Sequence, residues 1–163
     1  MILAIDPGST ESAYVLIDKN LKPIKIGKVK NEELLKFIKF DMYVYCNKIE
    51  HFAIEMIASY GMPVGKEVFD TCVWIGRFIE RTNINNITKI YRKDVKMNLC
   101  NSMKAKDGNI IQALVDRFAP DVRNKGKGIK SNPGWFYGFK KDIWQSYAVG
   151  ITYYDMHLKD KEQ

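Results

Sequence analysis

The first 30 residues predict three consecutive β-strands, and this feature limits the possible folds more than any other. An apolar run over 1–6 is followed by turn residues at 7–10, a second apolar run over 12–17 and an alternating apolar and polar segment over 23–30. Strands that are joined by such short turns pair antiparallel with their neighbours. The chain is therefore predicted to begin with an antiparallel meander whose third strand suits a sheet edge.

The rest of the chain alternates between helical and extended patterns. Asn31 is predicted to cap a helix, while residues 51–57 and 87–91 are predicted to form a fourth and a fifth strand. Further helices are predicted over 66–81, 93–100, 105–118 and 141–157. The segment 121–139 holds four Gly and one Pro and is expected to be a flexible loop. This order indicates an α/β fold with a five-stranded mixed sheet flanked by helices.

Length and composition limit the domain organisation and the cellular compartment. The 163 residues suit a single domain over 1–163, and a hydrophobic content of 46% is enough for a core. No apolar run approaches the ~20 residues of a membrane span, so no membrane partner is expected. The three cysteines are too widely spaced for a disulfide framework or a zinc knuckle. We therefore expect a reduced, cytoplasmic protein.

The positive charge is concentrated in one third of the chain. The net charge is +7, and residues 85–141 alone carry 13 Lys and Arg against 4 Asp and Glu. Clustered cations neutralise phosphates, and the excess of 21 Lys over 5 Arg favours contacts along a nucleic-acid backbone over the reading of bases. Two interpretations remain open at this point, a solvated Lys-rich surface and a face that binds a polyanion.

Three acids stand at positions that suit a metal site. Asp6 ends the first predicted strand, Glu55 lies within an apolar strand, and Asp142 opens the last predicted helix. An acid within an apolar strand is costly unless it is paired or binds a metal. Each acid alone is explained by a Lys partner or by solvent exposure, but together they suit Mg²⁺ or Mn²⁺. Two such ions would activate a water molecule and stabilise the leaving oxygen of a phosphodiester.

Six short motifs follow one another along almost the whole chain. They are ILAIDPGST (2–10), FAIE (52–55), VWIGR (73–77), YRKDVK (91–96), KAKD (104–107) and DIWQSYAVGIT (142–152). This ordered set resembles the RuvC family of Holliday-junction resolvases, within the RNase H-like superfamily. The resemblance implies an RNase H-like fold and a homodimeric, Mg²⁺-dependent endonuclease that makes paired nicks in four-way DNA junctions. The Lys-, Asn- and Ile-rich composition suggests a phage-encoded member.

The resemblance also implies the roles of the acids. Asp6, Glu55 and Asp142 correspond to the metal-binding acids of the family. Members often carry a further acid one helical turn after the first acid of the last helix, and here that position is Gln145. An amide at this position can hydrogen-bond a water molecule of a metal ion but adds no charge, so we expect a lower affinity for a second ion.

The resemblance and the charge distribution together indicate DNA contacts. Lys96, with Lys104 or Lys106, corresponds to positions that contact or polarise the scissile phosphate. Tyr60, in the loop after the fourth strand, is a candidate to stack on an unpaired base. Further candidate DNA-binding residues are Arg92, Lys93, Lys125, Lys127, Lys130, Lys140 and Lys141. Two interpretations remain open for the aromatic run 135–137, contact with DNA and packing back onto the sheet, and the cations that flank it favour contact with DNA.

Three other functions remain compatible with parts of this pattern. The acids would be purely structural in a non-catalytic, basic DNA-binding protein, which would keep its function without a divalent metal. A hybrid-cleaving RNase H would share the acids but not the ordered motifs after them. The segment DPGST also resembles the first phosphate loop of actin-like ATPases and sugar kinases, although 163 residues leave little room for the second lobe of that fold.

Overall fold

A computed structural model of the chain describes residues 1–41, 49–59, 61 and 63–159. The strands of its main sheet are β1 (Ile2–Asp6), β2 (Glu11–Ile17), β3 (Pro23–Lys30), β4 (His51–Met56) and β5 (Asn86–Tyr91). They lie in the order β3-β2-β1-β4-β5. The first three form the antiparallel meander, whereas β1, β4 and β5 run parallel. The predicted five-stranded mixed sheet is therefore confirmed.

Helices cover both faces of this sheet. They are α1 (Asn31–Lys36), followed directly by a π-helical turn (Phe37–Asp41), and then α2 (Lys66–Arg81), α3 (Arg92–Cys100), α4 (Asp107–Phe118) and α5 (Ile143–His157). Each predicted helix is present, and its bounds differ from the prediction by at most two residues. No helix within the described ranges is long and apolar enough to span a membrane.

The sheet divides the core into two clusters because successive strand residues point to opposite faces. Ala4 and Ala53 face one cluster, in which α5 and α4 pack on the sheet. Leu3 and Ile5 face the other cluster, which is completed by α1 and α2. Buried residues on both faces explain why β1 and β4 are almost continuously apolar in sequence.

Helix α5 lies very close to the middle of the sheet. The Ser146 hydroxyl donates a hydrogen bond to the backbone oxygen of Ala4 at 3.0 Å. Gly150 allows the close approach, because a Cβ atom there would lie 2.3 Å from Cδ1 of Ile17 and 2.9 Å from Cβ of Ala4. These contacts hold the first turn of α5 over the carboxyl end of β1.

Asn31 has a different role from the predicted helix cap. It is the first residue of α1 and is buried, and the cap position belongs to Lys30. Its side-chain Nδ2 donates to the backbone oxygen of Gly8 at 2.8 Å, and its Oδ1 accepts from the Ser12 hydroxyl at 2.6 Å. Asn31 therefore fixes the turn that follows β1.

The segment 121–139 is not the flexible loop that its composition predicts. It contains a 3₁₀ turn (Asn124–Gly126) and a small hairpin of β6 (Gly128–Ile129) and β7 (Asn132–Pro133). Phe136 and Phe139 are fully buried, and their rings pack against Trp144 and Tyr147 of α5. These aromatic contacts anchor the segment to the core.

The expected DNA contact of residues 135–137 is wrong for Phe136, because its side chain is fully buried. Trp135 stacks on Phe118 and donates its indole N–H to the hydroxyl of Tyr147 at 3.1 Å. Of the three aromatic side chains, that of Tyr137 is exposed, to 44%. The aromatic run therefore belongs mainly to the core.

Candidate metal and nucleic-acid site

The fold brings the three predicted acids to one edge of the sheet. Asp6 ends β1, and Glu55 lies near the end of β4, where the parallel register pairs Ile5 with Ile54. Asp6 and Glu55 each come two residues after an alanine that faces α5 (Ala4 and Ala53), so their side chains also lie on the α5 side of the sheet. Asp142 immediately precedes α5, whose first turn is held over the end of β1. The acids come from sequence positions far apart and meet because α5 crosses the sheet here.

Burial and neighbouring carboxylates raise the pKa of two of these acids. Burial, and after it the carboxylates of Glu55 and Asp142, raise the pKa of Asp6 from its usual 3.8 to about 8. Burial also raises the pKa of Glu55, and Asp107 adds to this effect. Two half-buried carboxylates at adjacent strand ends favour the approach of a cation, since their charged forms are otherwise costly.

Two cationic side chains face the acids. Lys28 on β3 places its Nζ atom 2.5 Å from Oδ2 of Asp142 and 4.0 Å from Oε2 of Glu11. Arg92, at the start of α3, lowers the pKa of both Asp6 and Glu55, and its effect on Asp6 is larger than that of Lys28. The site is therefore a mixed cluster of acids and bases.

The two ends of the Arg92 guanidinium are held by neighbouring side chains. Its Nη1 donates to Oε1 of Gln145 at 2.6 Å, and its Nη2 donates to Oδ1 of Asp107. The carbonyl oxygen of Gln145, which the sequence assigns to the surroundings of a metal ion, is thus engaged by Arg92. This pairing connects α5 to the starts of α3 and α4.

The donor atoms suit a hard divalent cation, although they do not form a ready-made cage. Within the described ranges, no three His, Cys, Asp or Glu side chains are gathered tightly enough to hold a metal ion. Carboxylate oxygens are the ligands that Mg²⁺ and Mn²⁺ prefer. Because the charge of Glu55 raises the pKa of half-buried Asp6, a divalent ion near both carboxylates would lower the cost of ionising them. The residues present therefore fit such an ion in their chemistry.

The lysines predicted to contact the scissile phosphate lie on α3 and in the loop that leads to α4. Lys96 lies one helical turn after Arg92 on α3, and its Nζ donates to the backbone oxygen of Met103 at 3.5 Å. Lys104 and Lys106 are exposed, and Lys106 caps α4 directly before Asp107. Lys106 is thus the nearest of the three along the chain to a residue that holds Arg92.

The predicted DNA-binding residues fall into two groups. Lys140 and Lys141 are exposed directly before Asp142, and Lys93 follows Arg92. The remaining lysines lie on the segment with the small hairpin and are Lys125, Lys127 and Lys130. Tyr60 lies outside the described residues.

Sequence reasoning missed Lys28, Glu11 and Asp107 as parts of this cluster. Asp107 is the last residue of the KAKD motif, so the motif could have indicated that it belongs to the site. For Lys28, the sequence shows only the alternating pattern of an edge strand. This pattern places the side chain on one face of the sheet but does not indicate its partner. Its partner Asp142 is 114 residues away in the chain.

Comparison with known proteins identifies the fold. No family model matches the chain, and no curated protein matches it. The chain is similar to the solved structure of Thermus thermophilus RuvC, with 16% identity, a TM-score of 0.62 and 95% of each chain covered. It is also similar to T. thermophilus RuvC in complex with a Holliday junction substrate, with 15% identity, a TM-score of 0.64 and coverage of 96% of this chain and 95% of that chain. The protein therefore has the RNase H-like fold of RuvC structures, as its motifs predict.

Proposed function

We propose that this protein is a structure-selective DNA endonuclease that resolves four-way junctions by metal-dependent hydrolysis of phosphodiesters. The observation that carries the proposal is the pair of half-buried acids, Asp6 and Glu55, at adjacent strand ends beneath the start of α5. The similar RuvC structure in complex with a Holliday junction supports branched DNA as the substrate.

The chemistry of the site suits phosphodiester hydrolysis. A divalent ion bound by Asp6, Glu55 and Asp142 supplies Lewis acidity and positive charge at the scissile phosphate. Mg²⁺ is the expected ion, and Mn²⁺ would substitute for it. The surrounding cations offset the negative charge that develops on the phosphate oxygens as the bond breaks.

The basic residues around the site favour contacts with the DNA backbone. Lys140 and Lys141 precede Asp142, and Lys93 and Lys106 are exposed close to Arg92 and Asp107 along the chain. Such lysines neutralise phosphates without reading bases, so binding is expected to weaken steeply with salt. This behaviour suits a protein that recognises the shape of a junction rather than a long sequence.

A homodimer is part of the proposal, and helix α2 supplies its surface. Ile75 and Phe78 bury one side of the helix in the core, whereas Phe69 and Val73 on another side are 61% and 62% exposed. Exposed apolar side chains one turn apart suit contact with the same helix of a second copy. Two copies would present two sites, which suits paired nicks in the cytoplasm of the host, a bacterium if the chain is phage-encoded.

A nicking assay tests the proposal. An end-labelled four-way junction and a linear duplex of the same arm sequence are incubated with the protein in Mg²⁺ or in EDTA. Paired nicks near the branch point are expected in Mg²⁺ with the junction alone. The variant Asp6→Asn should lose cleavage and still bind the junction in a gel shift, because it removes a negative charge beside the phosphate. Asp121→Asn is the matched control, since Asp121 is exposed and its φ of 58° suits Asn.

Three outcomes would contradict the proposal. Equal cutting of the duplex would show that the protein does not select junctions. Cutting in EDTA would show that cleavage does not need a metal ion. Binding without cleavage in either Mg²⁺ or Mn²⁺ would favour the non-catalytic, structural DNA-binding protein instead.

A further inference from the structure

Arg92 is the most firmly positioned cation of the cluster. Its guanidinium donates to Gln145 on α5 at 2.6 Å and to Asp107 at the start of α4. The Gln145 side chain is itself buried, at 8% exposure. The planar guanidinium belongs to α3 and is held at both ends by residues of α5 and α4. It therefore loses little further conformational entropy when it binds an anion. The position of this charge is therefore set before any substrate arrives.

The held guanidinium lies next to the paired acids. In the parallel register of β4 and β5, Glu55 pairs with Ile90 and Met56 pairs with Tyr91. Arg92 follows Tyr91 directly, so it begins α3 at the same sheet edge as Glu55. Its charge also favours ionisation of Asp6 and Glu55. Arg92 thus supplies fixed positive charge to the same carboxylates that would hold a metal ion.

The charges of the cluster favour one divalent ion over two. When all three are ionised, Asp6, Glu55 and Asp142 carry three negative charges and face two cations, Arg92 and Lys28. Asp107 is already engaged by Arg92, and Glu11 lies against Lys28. Position 145 contributes a neutral amide whose oxygen accepts from Arg92. A second divalent ion would have to bind beside the guanidinium without a further carboxylate to offset the repulsion.

We infer that Arg92, positioned by Gln145 and Asp107, takes the place of a second divalent cation, so that each site binds one ion and the guanidinium holds an oxygen of the scissile phosphate. A guanidinium has five N–H donors, and the bonds to Gln145 and Asp107 use two of them. The others are available for a phosphate oxygen, a partner that matches the geometry of the fork. This inference rests on the proposed function and defines its metal requirement.

The number of bound ions tests the inference directly. The full chain, free of metal, is titrated with Mn²⁺, and the bound ions are counted by electron paramagnetic resonance and by calorimetry. One Mn²⁺ per chain is expected for the wild type. The double variant Arg92→Met with Gln145→Asp removes the guanidinium and adds a carboxylate, so it is expected to bind two ions with a spin-coupled signal. Arg123→Met, at an exposed arginine on the hairpin segment, is the control and should still bind one.

The possible results separate the inference from the proposed function. Two ions in the wild type would overturn the inference and leave the metal-dependent nuclease intact. No bound ion in the wild type would overturn both. A single ion in a folded double variant would also contradict the inference, because the repulsion from Arg92 would then not be what excludes the second ion.

Junction cleavage provides a second readout of Arg92. Arg92→Lys keeps the positive charge but loses the planar set of N–H donors, and the rate of junction cleavage is expected to fall about tenfold. Arg92→Met loses both, and a drop of about 10²- to 10³-fold is expected. Activity at the wild-type level in both variants would show that the guanidinium does not hold the phosphate.

Discussion

The Nζ atom of Lys28 lies 2.5 Å from Oδ2 of Asp142, and this ion pair joins the edge strand β3 to the start of α5. It connects residues that are 114 positions apart in the chain. A divalent ion that binds Asp142 must compete with Lys28 for the same carboxylate. Breaking this ion pair therefore contributes to the free-energy cost of binding a divalent ion at the site.

Lys28→Met is expected to tighten Mn²⁺ binding, because the competing cation is removed. The pair is partly exposed, so it is worth at most about 1 kcal/mol, which corresponds to about fivefold in affinity. Titration calorimetry measures the change. Lys25→Met is the control on the same strand, since the Nζ of Lys25 lies 4.3 Å from the ring centre of Phe37, on the other face of the sheet. Weaker Mn²⁺ binding by Lys28→Met would show that Lys28 supports the ion instead.

Asp6→Asn is expected to stabilise the metal-free protein at neutral and higher pH. Burial, with help from Glu55 and Asp142, raises the pKa of Asp6 from about 3.8 to about 8. An acid with a raised folded-state pKa destabilises the fold as pH rises above the unfolded value, and the cost grows until the folded value is reached. The gain from Asn should therefore be a few kcal/mol at pH 8 and vanish near pH 4.

Urea unfolding at both pH values, in EDTA, measures this gain. Added Mg²⁺ should stabilise the wild type more than the variant, because only the wild type keeps the full set of carboxylates. A gain of equal size at pH 4 and pH 8 would show that it does not arise from the Asp6 charge.

Phe136→Ala is expected to destabilise the protein by about 3–5 kcal/mol, because a fully buried ring is removed from a cluster of aromatic side chains. Tyr137→Ala, at the exposed neighbour, is the control and should change stability by less than about 0.5 kcal/mol. Chemical denaturation measures both values. A small effect of Phe136→Ala would mean that the segment 121–139 is not anchored in the core.

Gly150→Ala is expected to destabilise the protein by about 1–3 kcal/mol, although Ala favours a helix. The added Cβ would press on Ile17 and on Ala4, and the Ala4 side chain has no rotamer with which to move aside. Gly76→Ala in α2 is the matched control, because a Cβ there meets nothing within 4 Å. The control should stabilise by about 0.5–1 kcal/mol. Thermal unfolding distinguishes the two, and a gain from both substitutions would contradict the close packing of α5.

Val73→Asp is expected to convert a dimer into a monomer, because it places a charge in the exposed apolar surface of α2. Light scattering at micromolar concentration measures the mass. Val122→Asp, at another exposed valine, should leave the dimer intact. A wild type with the mass of one chain would contradict the proposed dimer.

The sequence by itself determines the strands, the helices and the location of the acids. Strand alternation and helical periodicity are local patterns, so β1 to β5 and the helices could be predicted within two residues. Asp6 and Glu55 could be identified because Asp6 ends an apolar strand and Glu55 interrupts one. An acid at such a position is costly unless it is paired or binds a metal. The order of the motifs was enough to indicate the RNase H-like fold.

Only the tertiary structure decides which side chains meet. The Lys28–Asp142 and Arg92–Gln145 pairs join residues 114 and 53 positions apart, and they form because α5 packs across β1 and beside the start of α3. Phe136 is buried by the same packing, although its Gly- and Lys-rich surroundings predict exposure. Periodicity reports which face a residue occupies, whereas its partners depend on how separate elements approach one another in space. The acids were therefore visible in the sequence, whereas the parts that Lys28 and Arg92 play in balancing their charge were not.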